Sequence, residues 1–143
     1  MAASKRILII DDDRFVAESL RGAIVATIRP AVEVDVSLNG SDGFNATTFT
    51  HYGLVIMDLR MPHLNGVDAI GMIRMIQPLV PIIIYSGCLE EYADELRELE
   101  VYAILKKPTP VRKIAETIES LFSGPTPPGN IIPDNGDGIG TTP

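Results

Sequence analysis

The sequence predicts an α/β fold in which one parallel sheet of five strands is covered by five helices. Short runs rich in Ile and Val, mostly uninterrupted by polar residues, indicate strands that are buried on both faces. The segments between these runs carry apolar residues at intervals of three and four, which is typical of amphipathic helices. The two patterns alternate five times, and parallel strands joined by right-handed helical connections form a doubly wound sheet. The patterns leave the strand order open, although 2-1-3-4-5 is the common solution for five such units.

Four of the five predicted strands are continuous apolar runs, and one is not. The segment Val32–Val36 alternates between valine and an acidic residue, so we expect it at an edge of the sheet with one face in water. The predicted strands, in chain order, are Arg6–Ile10, Val32–Val36, Leu54–Met57, Pro81–Tyr85 and Ala103–Leu105.

A helix is predicted after each strand. The second, Ser41–Thr48, is the weakest, because Gly43 lowers its helical propensity. The fourth is expected over Glu90–Leu99. The apolar positions that define the first, third, fourth and fifth helices are Phe15, Val16, Leu20, Ile24 and Ile28; Val67, Ile70 and Ile73; Tyr92, Leu96 and Leu99; and Val111, Ile114, Ala115, Ile118, Leu121 and Phe122.

The composition changes at Ser123, and this change sets the predicted domain boundary. Residues 5–122 are expected to form one domain, whereas residues 123–143 are dense in Pro and Gly and are expected to form a flexible tail or linker stub. The segment Asp134–Gly138 has a weak likeness to a calcium-binding loop. Gly136 and Gly138 stand where such a loop requires oxygen ligands, so calcium binding there has little support.

Composition argues against several classes of function. The chain of 143 residues has a net charge of −7 and a pI near 4.7, which argues against direct binding to nucleic acid or to an anionic membrane surface. The single cysteine, Cys88, cannot form an internal disulfide. The apolar run near the start, Ile7–Ile10, is far shorter than a signal peptide or a membrane span requires. We therefore expect a cytoplasmic protein without membrane insertion.

Polar side chains follow four of the predicted strands where each strand ends. Because the carboxyl ends of parallel strands meet at one edge of a sheet, these side chains are expected to lie together. They are Asp11, Asp12 and Asp13 after the first strand, Asp58 after the third, Ser86 after the fourth and Lys107 after the fifth.

This set of residues favours chemistry at phosphorus. Clustered carboxylates repel each other, and a divalent cation relieves the repulsion; few oxygen ligands, with water at the remaining positions, suit Mg²⁺. A carboxylate beside Mg²⁺ can attack phosphorus, while a hydroxyl and an ammonium stabilise the phosphoryl oxygens. Singly, each residue has a structural explanation: Asp13 as a helix N-cap, Ser86 as a turn residue and Lys107 as a solvated charge. Their joint occurrence at strand ends favours a functional site.

Four segments carry a resemblance to a known family. ILIIDDD, VIMDLRMPHLNG, PIIIYSG and ILKKP occur in this order, and together they resemble the response-regulator receiver domains of two-component signalling over residues 5–122. The resemblance implies a flavodoxin-like sheet of order 2-1-3-4-5 with five helices. It also implies Mg²⁺-dependent transfer of a phosphoryl group from a phosphohistidine, carried by a sensor histidine kinase or a histidine phosphotransfer protein.

The resemblance assigns a role to each residue of the predicted site. Carried over position by position, it makes Asp58 the phosphoacceptor. For Mg²⁺ it implies Asp12 as a direct ligand, Asp11 as a ligand acting through water and Arg60 as a ligand through its backbone carbonyl. It makes Ser86 the switch hydroxyl and Lys107 the partner of the phosphoryl group, places a cis peptide bond before Pro108, and makes Pro62 and Gly66 the residues that shape the loop after Asp58.

The sequence departs from the family pattern at one switch position. Ile104 stands where an aromatic residue is usual, and Tyr85 or Tyr102 could supply a substitute ring. Since Ile104 is stiff and has no ring to swing, we expect the signal to run through the loop after the fourth strand and the fourth helix. Lys106 should point away from Lys107. Cys88 is expected to border the site as a small buried apolar residue.

Three other functions compete with this one. A flavin-binding module would need a Ser/Thr/Gly-rich loop after the first strand, where three aspartates stand instead. A haloacid-dehalogenase-type phosphohydrolase needs a second aspartate two residues after Asp58, where Arg60 stands. The remaining alternative is a degenerate receiver that binds proteins without being phosphorylated. No output motif follows residue 122, so we expect output through a protein partner, a homodimer or a domain outside this sequence.

Overall fold

The structure is a computed structural model that describes residues 5–124, and strands and helices alternate through it as predicted. The strands are β1 (Arg6–Ile10), β2 (Glu33–Ser37), β3 (Leu54–Met57), β4 (Ile82–Ser86) and β5 (Ala103–Lys106). The helices are α1 (Arg14–Thr27), α2 (Gly40–Phe49), α3 (Gly66–Ile76), α4 (Ala93–Glu98) and α5 (Val111–Ser123), and a 3₁₀ turn over Leu89–Tyr92 precedes α4.

All five strands are parallel and stand in the order β2-β1-β3-β4-β5, which confirms the expected arrangement. In this register Ile7 of β1 lies between Val34 of β2 and Leu54 of β3. As predicted, β2 is an edge strand. Glu33 is exposed and Val34 is buried, while the last three residues of the strand are all partly buried, so the alternation in exposure is incomplete. The helices α1 to α4 connect successive strands and α5 follows the last strand. The carboxyl edge of the sheet therefore collects the loops that follow the strands, including those after β1, β3, β4 and β5.

Two apolar cores cover the two faces of the sheet. Ile7 and Ile9 pack with α1 and α5 on one face, whereas Leu8 and Ile10 pack with α3 on the other. These four side chains are at most 1% exposed, and burial of one such side chain contributes about 2 kcal/mol to folding. The uninterrupted apolar runs of the sequence therefore correspond to strands that are buried on both sides.

The fourth helix differs from its prediction. A single helix over Glu90–Leu99 was expected, but the segment divides into the 3₁₀ turn and the short α4. Neither piece has a side-chain cap at its start, and neither contains a buried residue. With no cap to satisfy the first backbone N–H groups and little packing to offset the entropy of ordering, only one short helix forms here.

Several local predictions can be compared directly with the structure. Asp13 caps α1 by accepting a hydrogen bond from the Val16 N–H, and Lys107–Pro108 is a cis peptide bond, as expected. Asn39 is the N-cap of α2, and its side chain accepts a hydrogen bond from the Asp42 N–H. Within residues 5–124, no helix is both long and apolar enough to cross a membrane. The predicted tail beyond Gly124, including Asp134–Gly138, lies outside the described residues.

Candidate functional site

Three carboxylates meet where β1 and β3 end. Asp11 and Asp58 are buried, at 3% and 8% exposed, and Asp12 is exposed. Each offers one carboxylate oxygen within 4.8 Å of the others. The sheet register causes this meeting, because Ile10 and Met57 are paired Cα partners, so the residues that follow them leave the sheet side by side.

Asp58 is held by its backbone and by its side chain. Its N–H donates to the Ile10 carbonyl at 3.0 Å, which continues the pairing of β3 with β1. Its Oδ1 accepts the Leu59 N–H at 2.8 Å, and its Oδ2 lies 3.4 Å from the Lys107 Nζ. Both oxygens therefore have a fixed environment, while the residue stays at the edge of the sheet.

Lys107 reaches across the site from the end of β5. Its Nζ lies 2.7 Å from Asp11 Oδ2 and 5.5 Å from the centre of the Tyr85 ring, a favourable position for a cation over an aromatic face. Its N–H donates to the Ser86 carbonyl at 3.0 Å, which fixes the start of the chain that leaves β5. Lys106 points away and pairs with Glu90 at 3.1 Å, as the strand alternation predicted.

Burial and charge shift the pKa values of Asp11 and Lys107. Burial raises the pKa of Asp11, and the charge of Asp58 adds to this, while Lys107 and the Asp13 N–H oppose it. Burial alone would lower the pKa of Lys107, but its hydrogen bond to Asp11 and the charges of Asp58 and Asp11 outweigh burial and raise it. Lys107 therefore keeps its proton at neutral pH.

The donor set suits a hard divalent cation. Three carboxylates and one ammonium leave two negative charges unbalanced at a shallow, partly exposed position. Oxygen ligands of this kind are those that Mg²⁺ prefers, and the exposure of Asp12 leaves room for retained water. The residues present therefore fit Mg²⁺.

The remaining predicted residues lie around this cluster. Ser86, fully buried at the end of β4, places its Oγ 3.3 Å from the Sγ of Cys88. Cys88 thus lies beside Ser86, but it is only partly buried, whereas a buried side chain was expected. Arg60 follows Asp58 in the loop, and its exposed guanidinium pairs with Glu91, a contact that the sequence reading missed. The sequence signal for this contact was limited to the presence of a glutamate in the segment after β4.

Gly66 shapes the loop after Asp58 through close packing. Its N–H donates to the Leu59 carbonyl at 2.7 Å, and a Cβ at this position would lie 2.8 Å from the Leu59 Cα and closer still to the Asp58 carbonyl oxygen. Only glycine lets the start of α3 approach the backbone of Asp58 so closely. Asn65 caps the same helix through the Asp68 N–H, a role that the sequence reading did not assign.

Ile104 and the two candidate aromatic residues lie on opposite faces of the sheet. Ile104 is partly buried against the core that contains α3, whereas Tyr85 and Tyr102 pack with the core of α1 and α5. Neither tyrosine stands beside Ile104 on its own face. The structure therefore gives no support to the expectation that Tyr85 or Tyr102 replaces the aromatic ring that is usual at position 104.

Comparison with known proteins identifies the family of this chain. The family model of the response regulator receiver domain matches residues 7–119. The response regulator ArlR of Staphylococcus aureus is 29% identical over 92% of this chain and 58% of its own length. A protein-glutamate methylesterase/protein-glutamine glutaminase of Geobacter metallireducens is 34% identical over 73% of this chain and 30% of its own length. The chain thus spans between about a third and three fifths of these relatives.

Solved structures show the same fold. Chemotaxis protein CheY4 of Vibrio cholerae superposes with a TM-score of 0.74 at 18% identity, covering 83% of this chain and 99% of that one. The N-terminal domain of an uncharacterized Wolinella succinogenes protein superposes with a TM-score of 0.72 at 28% identity, covering 84% and 93%. With the family model matching most of the described residues, this chain belongs to the response regulator receiver domain family.

Proposed function

We propose that Asp58 accepts a phosphoryl group from the phosphohistidine of a sensor histidine kinase or of a histidine phosphotransfer protein, in a reaction that requires Mg²⁺. The carrying observation is the position of the Asp58 carboxylate between the Leu59 N–H and the Lys107 ammonium, with carboxylate oxygens of Asp11 and Asp12 within 4.8 Å. In the transfer, the bond between phosphorus and the histidine nitrogen breaks as a bond forms between phosphorus and a carboxylate oxygen of Asp58.

Charge is the main obstacle to this reaction, and the site contains what is needed to offset it. The incoming phosphoryl group adds negative charge beside Asp11 and Asp12. Lys107, which keeps its proton, lies 3.4 Å from the attacking carboxylate and can turn toward a phosphoryl oxygen. In our proposal Mg²⁺ is held by Asp12, Asp58 and the backbone carbonyl of Arg60, with Asp11 acting through water. Bound there, Mg²⁺ would supply positive charge to the phosphoryl oxygens.

The switch we propose begins at Ser86. Its hydroxyl contacts the sulfur of Cys88, a weak hydrogen-bonding partner, so little is lost when it turns to a phosphoryl oxygen. This rotation of the Ser86 side chain frees Cys88 and the 3₁₀ turn that follows it. Because Ile104 offers no ring to rotate, the readout passes through residues 87–89 and α4, whose side chains are poorly buried. This is a two-state element biased by a local charge.

We propose that the receiver domain comprises residues 5–122. We also propose that its signal is passed on through a partner protein or through a further segment. The relatives named above exceed this chain in length, and one of them is named as an enzyme. The net charge of −7 belongs to these 143 residues, and it argues against nucleic-acid binding by these residues alone.

Phosphorylation by a small donor tests the proposal. Incubation with acetyl phosphate and Mg²⁺ should add one phosphoryl group, detected by intact mass, and chelation of Mg²⁺ should abolish the addition. Asp58→Asn should remain unmodified, whereas Asp68→Asn, which changes an exposed acid in the first turn of α3, should react like the parent. A parent that takes up no phosphoryl group favours the degenerate, protein-binding receiver.

A further inference from the structure

A groove lies at the opposite edge of the sheet from Asp58, where β4 and β5 begin. Its volume is about 360 Å³, and its walls include Leu79, Val80, Val101 and Tyr102, with Arg74 and Glu100 as charged members. We call it the amino-edge groove. None of its residues belongs to the phosphorylation site, and nothing in the proposed transfer uses it.

Exposed apolar side chains lie on the groove wall and near it in the chain. Leu79, which lines it, is 92% exposed, and Met75 and Ile76 in the last turn of α3 are 80% and 46% exposed. Scattered exposed apolar residues are ordinary on a protein surface, but these three lie within five positions of the chain that also contain the groove residues Pro78 and Leu79. Such a concentration of exposed apolar side chains favours an interface here.

The groove also holds two opposite charges that do not pair with each other at close range. Arg74 is half-buried, and its guanidinium donates to the backbone carbonyl of Glu100 at 2.8 Å. Its Nε is buried without a hydrogen-bond partner among residues 5–124. Burial lowers the pKa of Arg74, and the charge of Glu100 opposes this only in part. In that same range, neither Arg74 nor Glu100 forms an ion pair within 4 Å.

We propose that the amino-edge groove is the interface of a symmetric dimer of this chain. A two-fold axis places the same surface on both copies, so a surface with a protruding apolar residue, an apolar groove and two unpaired opposite charges is complementary to itself. Leu79 of each copy enters the groove of the other. Arg74 of each copy pairs with Glu100 of the other, so a half-buried guanidinium and an exposed carboxylate meet twice across the axis. The dimer interface would cover both ion pairs, which are stronger there than in water.

The proposal is independent of the phosphoacceptor, because the groove and Asp58 lie at opposite edges of the sheet. The occupant is a second copy rather than an unrelated protein because both charges are present on one surface. An acidic partner would meet Glu100, and a basic partner would meet Arg74. A second copy turned by the two-fold axis satisfies both at once.

Charge reversal with sedimentation equilibrium tests the dimer on the whole chain. The parent should pass from monomer to dimer between micromolar and millimolar concentrations. Glu100→Arg, Arg74→Glu and Leu79→Asp should each raise the dimer dissociation constant about tenfold or more, because every substitution acts twice in a symmetric interface. The double variant Arg74→Glu with Glu100→Arg should recover most of the affinity, since it restores opposite charges across the axis.

Two surface variants away from the groove serve as matched controls. Phe49→Asp removes an apolar side chain that is 89% exposed on α2, and Glu116→Arg reverses a charge on α5; both should dimerise like the parent. Circular dichroism checks that each variant folds. If Arg74→Glu does not fold, the dissociation constants of Glu100→Arg and Leu79→Asp, which change exposed residues, test the proposal. A chain that stays monomeric up to about 1 mM, the range of very weak association, overturns the proposal. A dimer that is insensitive to Glu100→Arg and Leu79→Asp overturns it equally.

Discussion

The ammonium of Lys107 lies 2.7 Å from the carboxylate of Asp11, although the two residues are 96 positions apart in the chain. The contact joins the ends of β1 and β5, which are separated in the sheet by β3 and β4. Lys107 therefore spans the site, and it is the cation that contacts two of its three carboxylates among residues 5–124.

Removal of this ammonium should destabilise the protein and increase its response to Mg²⁺. Lys107→Met leaves Asp11 and Asp58 buried without their cation, so the free energy of unfolding in the presence of a chelator should fall by about 3 kcal/mol. Added Mg²⁺ should restore more stability to this variant than to the parent, because it no longer competes with an ammonium. Urea unfolding with chelator and with Mg²⁺ measures both effects.

Lys106→Met is the control for this prediction. Its ammonium pairs with Glu90 at the surface, where both side chains are at least half exposed, so its loss should change stability by no more than about 0.5 kcal/mol. Equal losses in the two variants would contradict the role given to Lys107.

Asp12 and Asp13 are adjacent exposed acids, and we expect opposite consequences from their removal. Asp12→Ala should leave stability within about 0.5 kcal/mol of the parent, as is usual for an exposed side chain, and should abolish the Mg²⁺-induced chemical-shift changes. Asp13→Ala removes the N-cap of α1 and should cost about 1 kcal/mol while the Mg²⁺ response survives. An unchanged Mg²⁺ titration in Asp12→Ala would remove Asp12 from the metal site.

Gly66 and Gly71 lie in the same helix and should respond in opposite directions to alanine. A Cβ at Gly66 meets the backbone of Asp58 and Leu59, so Gly66→Ala should lower the free energy of unfolding by about 2 kcal/mol and slow phosphorylation of Asp58. At Gly71 a Cβ meets nothing within 4 Å, and alanine there should raise stability by about 0.5–1 kcal/mol. Thermal unfolding of both variants provides the comparison, and destabilisation of the same size in both would rule out the contact with Asp58 as the cause.

Much of the fold could be predicted from the sequence because its signals are local. Ile7–Ile10 and Leu54–Met57 are buried on both faces in the structure, and an uninterrupted apolar run has few other solutions. The meeting of Asp11, Asp12 and Asp58 followed from one further rule, that parallel strands end at a common edge. Their chemical roles remain predictions.

The features that escaped prediction depend on distances between segments remote in sequence. Nothing local to Lys107 shows that Tyr85 lies beneath its ammonium, and nothing local to Arg60 selects Glu91 as its partner. The division of the fourth helix also depends on packing, since Tyr92 and Leu96 have helical spacing yet remain only partly buried. Spacing alone indicates an apolar side of a helix and says little about how deeply that side is covered.

A network remote from Asp58 ties the start of β3 to the edge of the sheet. The hydroxyl of Tyr52 donates to Asp35 at 2.6 Å, and Arg6 donates to the same carboxylate at 3.0 Å. Burial first, and then the Asp35 carboxylate, raise the pKa of Tyr52 to about 12. Burial opposes ionisation of Asp35, but its hydrogen bonds to Arg6 and Tyr52 prevail and lower its pKa.

Tyr52→Phe should therefore cost stability by an amount that depends on pH. Near neutral pH the loss should be about 1 kcal/mol, the net contribution of one hydrogen bond. Because the pKa of Tyr52 is higher in the folded state, its stabilising effect is complete below pH 10 and is lost as the pH rises toward 12. The lowered pKa of Asp35 acts in the opposite sense, with its contribution present above about pH 3.8 and lost below it. The stability difference between parent and variant should thus be largest between these limits and shrink at both ends.

Urea unfolding at acidic, neutral and alkaline pH measures this difference in stability between the parent and Tyr52→Phe. In an Asp35→Asn background the Tyr52→Phe effect should become much smaller. A difference that stays constant from neutral to strongly alkaline pH would show that Tyr52 acts through packing and not through its hydroxyl.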